Sequence, residues 1–349
     1  MSNEMFIVLV ALATGGLLAW GFRNLPSERF QMLASLPMVK QDPGTWRGIN
    51  LTWYGLLSAN AQALAATWLL LLMSALGVPW LTTAGLIVVL VTLCIPGSHW
   101  LAQLVEKKAH TFTVGGASFL GLVAAPWLGW LVRRLLARPG EPDFPVLAWC
   151  AAITSAYALG EGLGRLACIS FGCCYGRPLN QCHPILRRLF SRAHFVFQGH
   201  TKKVAYASGW EGQAIFPIQA ISACVNLAAA LASAYLFLRG AYAGALLTSA
   251  LVTQLWRVAS EFLRADFRGA GRFSAYQKLA LAGAVWSVGL AIFLPSSGAE
   301  PRLELGLASI WAPGPLLLVQ VVWVASFAYY GLSRVTTSKI SYSVIVDNV

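Results

Sequence analysis

Two short patterns set acid and base one helical turn apart. In EGLGR, Glu161 precedes Arg165 by four residues. In WRVASEFLRAD, Arg257 precedes Glu261 by four, and Arg264 follows three residues later. Residues at i and i+4 share a helix face, so each pair can meet and Arg264 extends the second face. Both patterns close apolar runs, where an ionisable side chain is costly and marks a functional candidate by default. Two readings follow. One is a pair of structural ion bridges tying helices together. The other is a cationic pocket for phosphate or carboxylate, which arginine suits because its planar fork engages two oxygens at once.

The stretch GRLACISFGCCYGRP adds sulfur to the first pattern, with Cys168, Cys173 and Cys174, and Cys182-His183 follows. Thiolates and imidazole are ligands for soft metals. Adjacent cysteines are not the usual C-x-x-C pair, so free thiols are expected, then a disulfide, and no metal. A reactive thiol needs a base or a positive field beside it. His183 is the candidate base, and Arg165 and Arg177 the candidate field. His110, beside Lys107 and Lys108 where a span opens, is a second candidate base, because imidazole titrates near neutrality. Cys94, Cys150 and Cys224 lie in apolar runs and read as packing residues. Tyr54, in LTWYGLL, starts a span beside Trp53. An aromatic belt accounts for both, and a phenol turned inward would orient a substrate. In TVGGASFLG, small residues including Gly116 let a helix or a lipid approach the backbone.

The elements that must carry these residues are membrane helices. Of 349 residues, 57% are hydrophobic and 11% charged, where a soluble domain carries about 25% charged residues. Apolar runs long enough to span a bilayer fall at roughly 5–22, 52–76, 80–104, 112–132, 146–171, 215–238, 242–264, 275–294 and 314–333. The expected fold is therefore an all-α polytopic transmembrane bundle of about nine spans. The segment 172–213 is polar and reads as a small head. The first run has no basic flank and no small-x-small cleavage site, so it reads as a retained span and not a signal peptide. The net charge is +12. No basic run is long enough for a nucleic-acid arm, and anionic lipid headgroups are the expected partners. Most Lys and Arg follow odd-numbered spans, which by the positive-inside rule places 172–213 in the cytoplasm.

Taken in order, these pieces resemble the prolipoprotein diacylglyceryl transferase family from WYGLL near 53 to about 294. The resemblance rests on GGASFLG, on the frame Gly164, Arg165, Gly172, Gly176 and Arg177, on Pro-Ile-Gln at 217–219, and on RVASEFLRAD. It implies a membrane core at 52–294, flanked by an extra span and polar linker at 1–51 and an extra span and tail at 295–349. It implies a cofactor-free, multi-pass enzyme of the bacterial inner membrane. That enzyme would move the diacylglyceryl group of phosphatidylglycerol to the lipobox cysteine of a preprolipoprotein, with glycerol phosphate leaving. By position, Arg165 and Arg257 would hold the phosphate and Glu261 would position Arg257. Arg264, Gly116, Gly172, Gly176 and Arg177 would surround the phosphate, and Tyr54 would match the family tyrosine. The family also presents this face outside the cytoplasm, against the charge count. That orientation is preferred here, because a lipid-phosphate site itself attracts positive charge.

The sequence departs from the family pattern at several points. Leu120 follows Phe119 where the family has histidine, and Cys168 replaces an asparagine. Cys173 replaces an acidic residue, and Phe216 stands where a histidine precedes Pro-x-Gln. Two alternatives follow: a non-catalytic membrane protein that binds anionic lipid, and a thiol- or metal-handling membrane protein.

Overall fold

The computed structural model describes residues 1–106, 114–136, 143–265, 273–296 and 300–342. His110 lies outside the described residues. In chain order the helices are α1 (Asn3–Asn24), α2 (Trp53–Ala75), α3 (Trp80–Glu106), α4 (Val114–Leu136), α5 (Val146–Phe171), α6 (Pro184–Leu189), α7 (Lys203–Ser208), α8 (Ile218–Leu238), α9 (Tyr242–Leu263), α10 (Ala275–Phe293), α11 (Leu303–Ile310) and α12 (Pro313–Tyr330). All but α6, α7 and α11 match the nine expected spans. Among the described residues, eight of these helices are long and apolar enough to cross a membrane. The ninth, α9, is as long but less apolar, because its last turns carry Gln254, Arg257 and Glu261. The protein is a multi-pass, mostly helical membrane bundle.

Helix α5 is the axis of the bundle. Of its span, 78% is buried inside the protein, against 11% for α12. Its small residues explain this. A Cβ on Gly162 would stand 3.1 Å from Ala223 O and Leu227 N of α8, so these two backbones touch. Close backbone approach is how membrane helices gain packing where lipid supplies no hydrophobic drive. Polar groups at this depth need internal partners. Ser155 accepts from Trp68 Nε1 of α2 at 3.1 Å and donates to Ala230 O of α8 at 3.2 Å. Trp149 Nε1 donates to Ala125 O of α4 at 2.9 Å. The apolar-run cysteines divide: Cys150 is buried, Cys94 half-buried and Cys224 exposed on α8, which corrects its reading as a packing residue.

The polar linker and the tail are not independent. Residues Met32–Asp42 form β1, Thr45–Thr52 β2 and Leu332–Ser341 β5, in one antiparallel sheet of order β1-β2-β5. Pro43 and Gly44 turn the first hairpin, with Gly44 at φ 76°. Pro37 is tolerated because β1 is an edge strand, where a missing N–H costs no ladder bond. Asn50 of β2 accepts from Ser35 Oγ of β1 at 2.7 Å and donates to Thr336 Oγ1 of β5 at 3.0 Å. The head contains α6, α7 and a second, two-stranded sheet of β3 (Phe195–Val196) and β4 (Ala214–Ile215).

One buried lysine fastens the head to the bundle. Lys202 is fully buried, and its Nζ donates to Ser170 O at 2.6 Å and to Leu25 O at 3.1 Å. It thereby caps the carbonyl ends of α5 and α1, where a cation meets the negative pole of each helix. Burial pushes its pKa down from 10.5 to about 8, with the Glu28 carboxylate opposing. The charged form is thus disfavoured by folding. That penalty is complete below about pH 8 and is relieved as pH rises toward 10.5, because only the unfolded state then keeps the proton. Thermal melts in detergent should show wild-type stability rising across this window relative to Lys202→Met. Parallel pH curves would refute the account.

Candidate functional site

Helix α5 presents Tyr157, Glu161 and Arg165 as one stripe, each four residues from the next, and α9 presents Arg257, Glu261 and Arg264. The two helices face one another across a small pocket, which Asn226 and Tyr276 also line. Glu161 is the meeting point. Its carboxylate accepts from Arg165 on its own helix and lies 3.8 Å from Arg257 Nη2 across the gap. Arg257 Nη2 also donates to the Tyr157 hydroxyl. The expected Glu161–Arg165 pair is therefore present, and contacts from α5 place Arg257. Glu261 and Arg264 line the same pocket. Three guanidiniums face two carboxylates there, leaving an excess of positive charge. Arg165 Nε is buried without a hydrogen-bond partner among the described residues.

The surrounding backbone is shaped to this group. A Cβ on Gly115 would lie 2.8 Å from Arg257 Nη1, so the guanidinium rests against bare backbone of α4. Gly116 beside it is buried. Gly172 ends α5 at φ 69°. Gly176 bridges Arg264 in an antiparallel pair, and Ala265 N donates to Tyr175 O at 3.0 Å. The loop after α5 thereby holds the end of α9. A Cβ on Gly176 would meet Phe216 O at 2.6 Å, so glycine is needed for that approach. Arg177 is exposed, and its carbonyl accepts from Phe216 N at 2.9 Å. Trp256 Nε1 donates to Ser222 Oγ of α8 at 3.0 Å, and Gln277 Nε2 of α10 donates to Val258 O at 3.0 Å. These bonds fix the last turns of α9.

The sulfur atoms separate into two places. Cys168, Cys173 and Cys174 converge, with all three Sγ atoms within 4.8 Å of one another. Cys182 and His183 stand apart on the turn before α6. There the Cys182 thiol reaches Pro178 O at 3.5 Å and His183 Nδ1 accepts from Ile185 N at 3.5 Å. All seven cysteines are free thiols. Cys174 has φ 56°, the one non-glycine positive φ among the described residues. Hydrogen bonds from Cys168 and Cys173, with the charges of Arg264 and Arg165, hold its thiol well below the ordinary value. Hydrogen bonding to Cys168 and Cys174, with burial, pushes Cys173 well above it. Tyr54 packs edge-on against Phe171 and Tyr330, at 5.8 and 6.4 Å, and does not line the arginine pocket.

The sequence reading missed Tyr157, Asn226, Trp256 and Tyr276. Tyr157 was accessible, because it lies four residues before Glu161 and extends the stripe that Glu161 and Arg165 begin. Trp256 was accessible too, as the neighbour of Arg257 in the same motif, whereas Asn226 and Tyr276 come from α8 and α10, whose placement no local spacing reveals.

Fold and site together define a polytopic membrane protein with a cationic pocket between its helices. The model of the prolipoprotein diacylglyceryl transferase family matches residues 45–293, and the chain belongs to that family. Its members are transferases of lipoprotein biosynthesis. No curated protein and no solved structure matches the chain.

Removing one partner of a buried pair leaves an uncompensated charge, typically at a cost of 3–5 kcal/mol. Glu161→Gln, which keeps shape and loses charge, should therefore destabilise the protein by roughly 3–5 kcal/mol in detergent unfolding. A change within about 0.5 kcal/mol, the range of ordinary surface substitutions, would show that Glu161 does not hold the two arginines.

Proposed function

We propose that the protein transfers a diacylglyceryl group from phosphatidylglycerol to the lipobox cysteine thiol of a preprolipoprotein. The transferase core is assigned to 52–294, with 172–213 as its head, in the bacterial inner membrane. The observation that carries this reading is the convergence of Arg165 and Arg257, from two helices, on Glu161 at the edge of one pocket. A phosphate seated there meets preorganised cations. As the glyceryl C–O bond breaks, the leaving phosphate gains charge, and donors fixed in a water-poor site stabilise that change most. Arg165 Nε, buried with no hydrogen-bond partner among the described residues, is ready to donate to it. Arg264 adds a third cation. Tyr157 and Glu161 orient Arg257 without using all of its donors.

Exposed Arg177, Arg187, Arg188 and Arg192 lie on the head side of the site. They suit anionic headgroups on that face, so positive charge there is consistent with a head outside the cytoplasm.

A second reading is favoured by one observation. Leu120, at the position of the family histidine, packs toward α3, where a Cβ on Gly97 would lie 2.6 Å from its Cδ1. A protein without that group can bind the lipid and do no transfer. Labelled phosphatidylglycerol and a lipobox peptide separate the two. Purified protein should transfer label, and Arg165→Ala or Arg257→Ala should each lose at least about 100-fold, the usual cost of one transition-state donor. Lysine at either position should restore little, because the fork is lost. Lipid binding without transfer would establish the second reading, and undiminished transfer by folded alanine variants would overturn the phosphate pocket.

A further inference from the structure

The transfer reading leaves three cysteines unused, although the fold spends several contacts on gathering them. Cys168 lies in the last turn of α5, and Cys173 N donates to its carbonyl at 3.0 Å. Gln219, itself 1% exposed, donates from Nε2 to Cys173 O at 3.0 Å. Cys174 is held in the left-handed region, which a non-glycine residue keeps only where the surroundings impose it. Two buried polar atoms at this place have no hydrogen-bond partner among the described residues: Gln219 Oε1 and Arg165 Nε. The result is a rigid three-sulfur group with open polar atoms beside it.

The transfer chemistry needs a partner for the incoming thiol. A cysteine thiol titrates near 8.5, so most of it is protonated at neutral pH. Glu161 is engaged by two arginines, and among the described residues no histidine lines the pocket. His183 caps α6, His194 bonds Phe190 O, His200 pairs with Glu211 and His99 meets Ile95 O.

We propose that Cys168, Cys173 and Cys174 form a three-thiolate site for a soft divalent cation, zinc first, whose open fourth position takes the cysteine thiolate of the acceptor polypeptide. This rests on the transfer reading, and it departs from the expectation of a metal-free enzyme. Three protein ligands with a vacant fourth position is the arrangement of reactive rather than structural zinc. Sulfur is the donor that selects such cations. Three thiolates and a divalent cation leave one negative charge, which faces Arg165 and Arg264. On coordination the acceptor S–H bond breaks and its proton passes to water, because a metal-bound thiol is deprotonated. The sulfur then attacks the glyceryl carbon that carries the phosphate ester. A C–S bond forms, the C–O bond breaks, and its electron pair leaves with glycerol phosphate toward Arg165 and Arg257. The cation changes neither charge nor oxidation state.

The test uses the full-length, reduced protein in lipid nanodiscs, titrated with cobalt(II) as a spectroscopic stand-in for zinc. The expected result is about one cobalt per chain with a thiolate charge-transfer band, falling below about 0.1 in Cys173→Ser/Cys174→Ser. A lipobox peptide with cysteine should change that band, whereas the same peptide with serine should not. The peptide titration needs no variant, so misfolding of the serine protein cannot decide it. Absence of stoichiometric binding by the reduced wild type overturns the site, and so does a band indifferent to the cysteine peptide. Arginine-dependent transfer by chelated, metal-free protein overturns it too, while leaving diacylglyceryl transfer itself intact.

Discussion

The site depends on one carboxylate. Glu161 lies among packed helices, and it makes the burial of two guanidiniums tolerable by meeting both. Without it, Arg165 and Arg257 would face each other as like charges in a low-dielectric gap. With it, α5 and α9 are joined at the level of the pocket, and each arginine keeps donors free for an anion. The arrangement resembles neither reading taken alone. It is an ion bridge between helices, and that bridge is what keeps the cations poised.

Everything around Glu161 serves to hold its two helices at that separation. Small residues let α5 touch α8 along its backbone. Ser155 joins α2 and α8 through one hydroxyl, which leaves little freedom for α5 to slide. The loop after α5 then doubles back and pairs Gly176 with Arg264, so the same segment that ends one helix braces the end of the other. Gln277 and Trp256 add bonds from α10 and to α8. A pocket built between membrane helices needs such bracing, because lipid gives no hydrophobic drive to close it.

The linker, the tail and the head extend the same end of the bundle. The β1-β2-β5 sheet ties the linker after α1 to the tail after α12, and Thr52 N–H on Gly331 O at 2.9 Å brings that closure to the start of α2. Lys202 joins the head to the ends of α1 and α5. Head, sheet and arginine pocket therefore share one face. The extra spans α1 and α12 contribute little buried surface of their own, and their connecting segments are what reach the face that carries the chemistry.

Local sequence determined the membrane class, the positions of the long helices and the acid–base stripes, because apolar run length and four-residue spacing act within one helix. The pairing of Glu161 with Arg165 belongs to that category, and so does the unremarked extension of the stripe to Tyr157. Composition also determined the departures at Leu120, Cys168 and Cys173. Tertiary structure decided the rest. That Arg257 meets Glu161 depends on how α9 packs against α5, nearly a hundred residues away in the chain. That three cysteines converge while Cys182 does not depends on the turn at Gly172 and the left-handed Cys174. The sheet was hidden because β5 finds its partner at the other end of the chain, and hydrogen bonds between strands leave no periodic mark on a segment read alone. Nothing in the local sequence marks Lys202, since only the assembled head shows that two helix ends surround it.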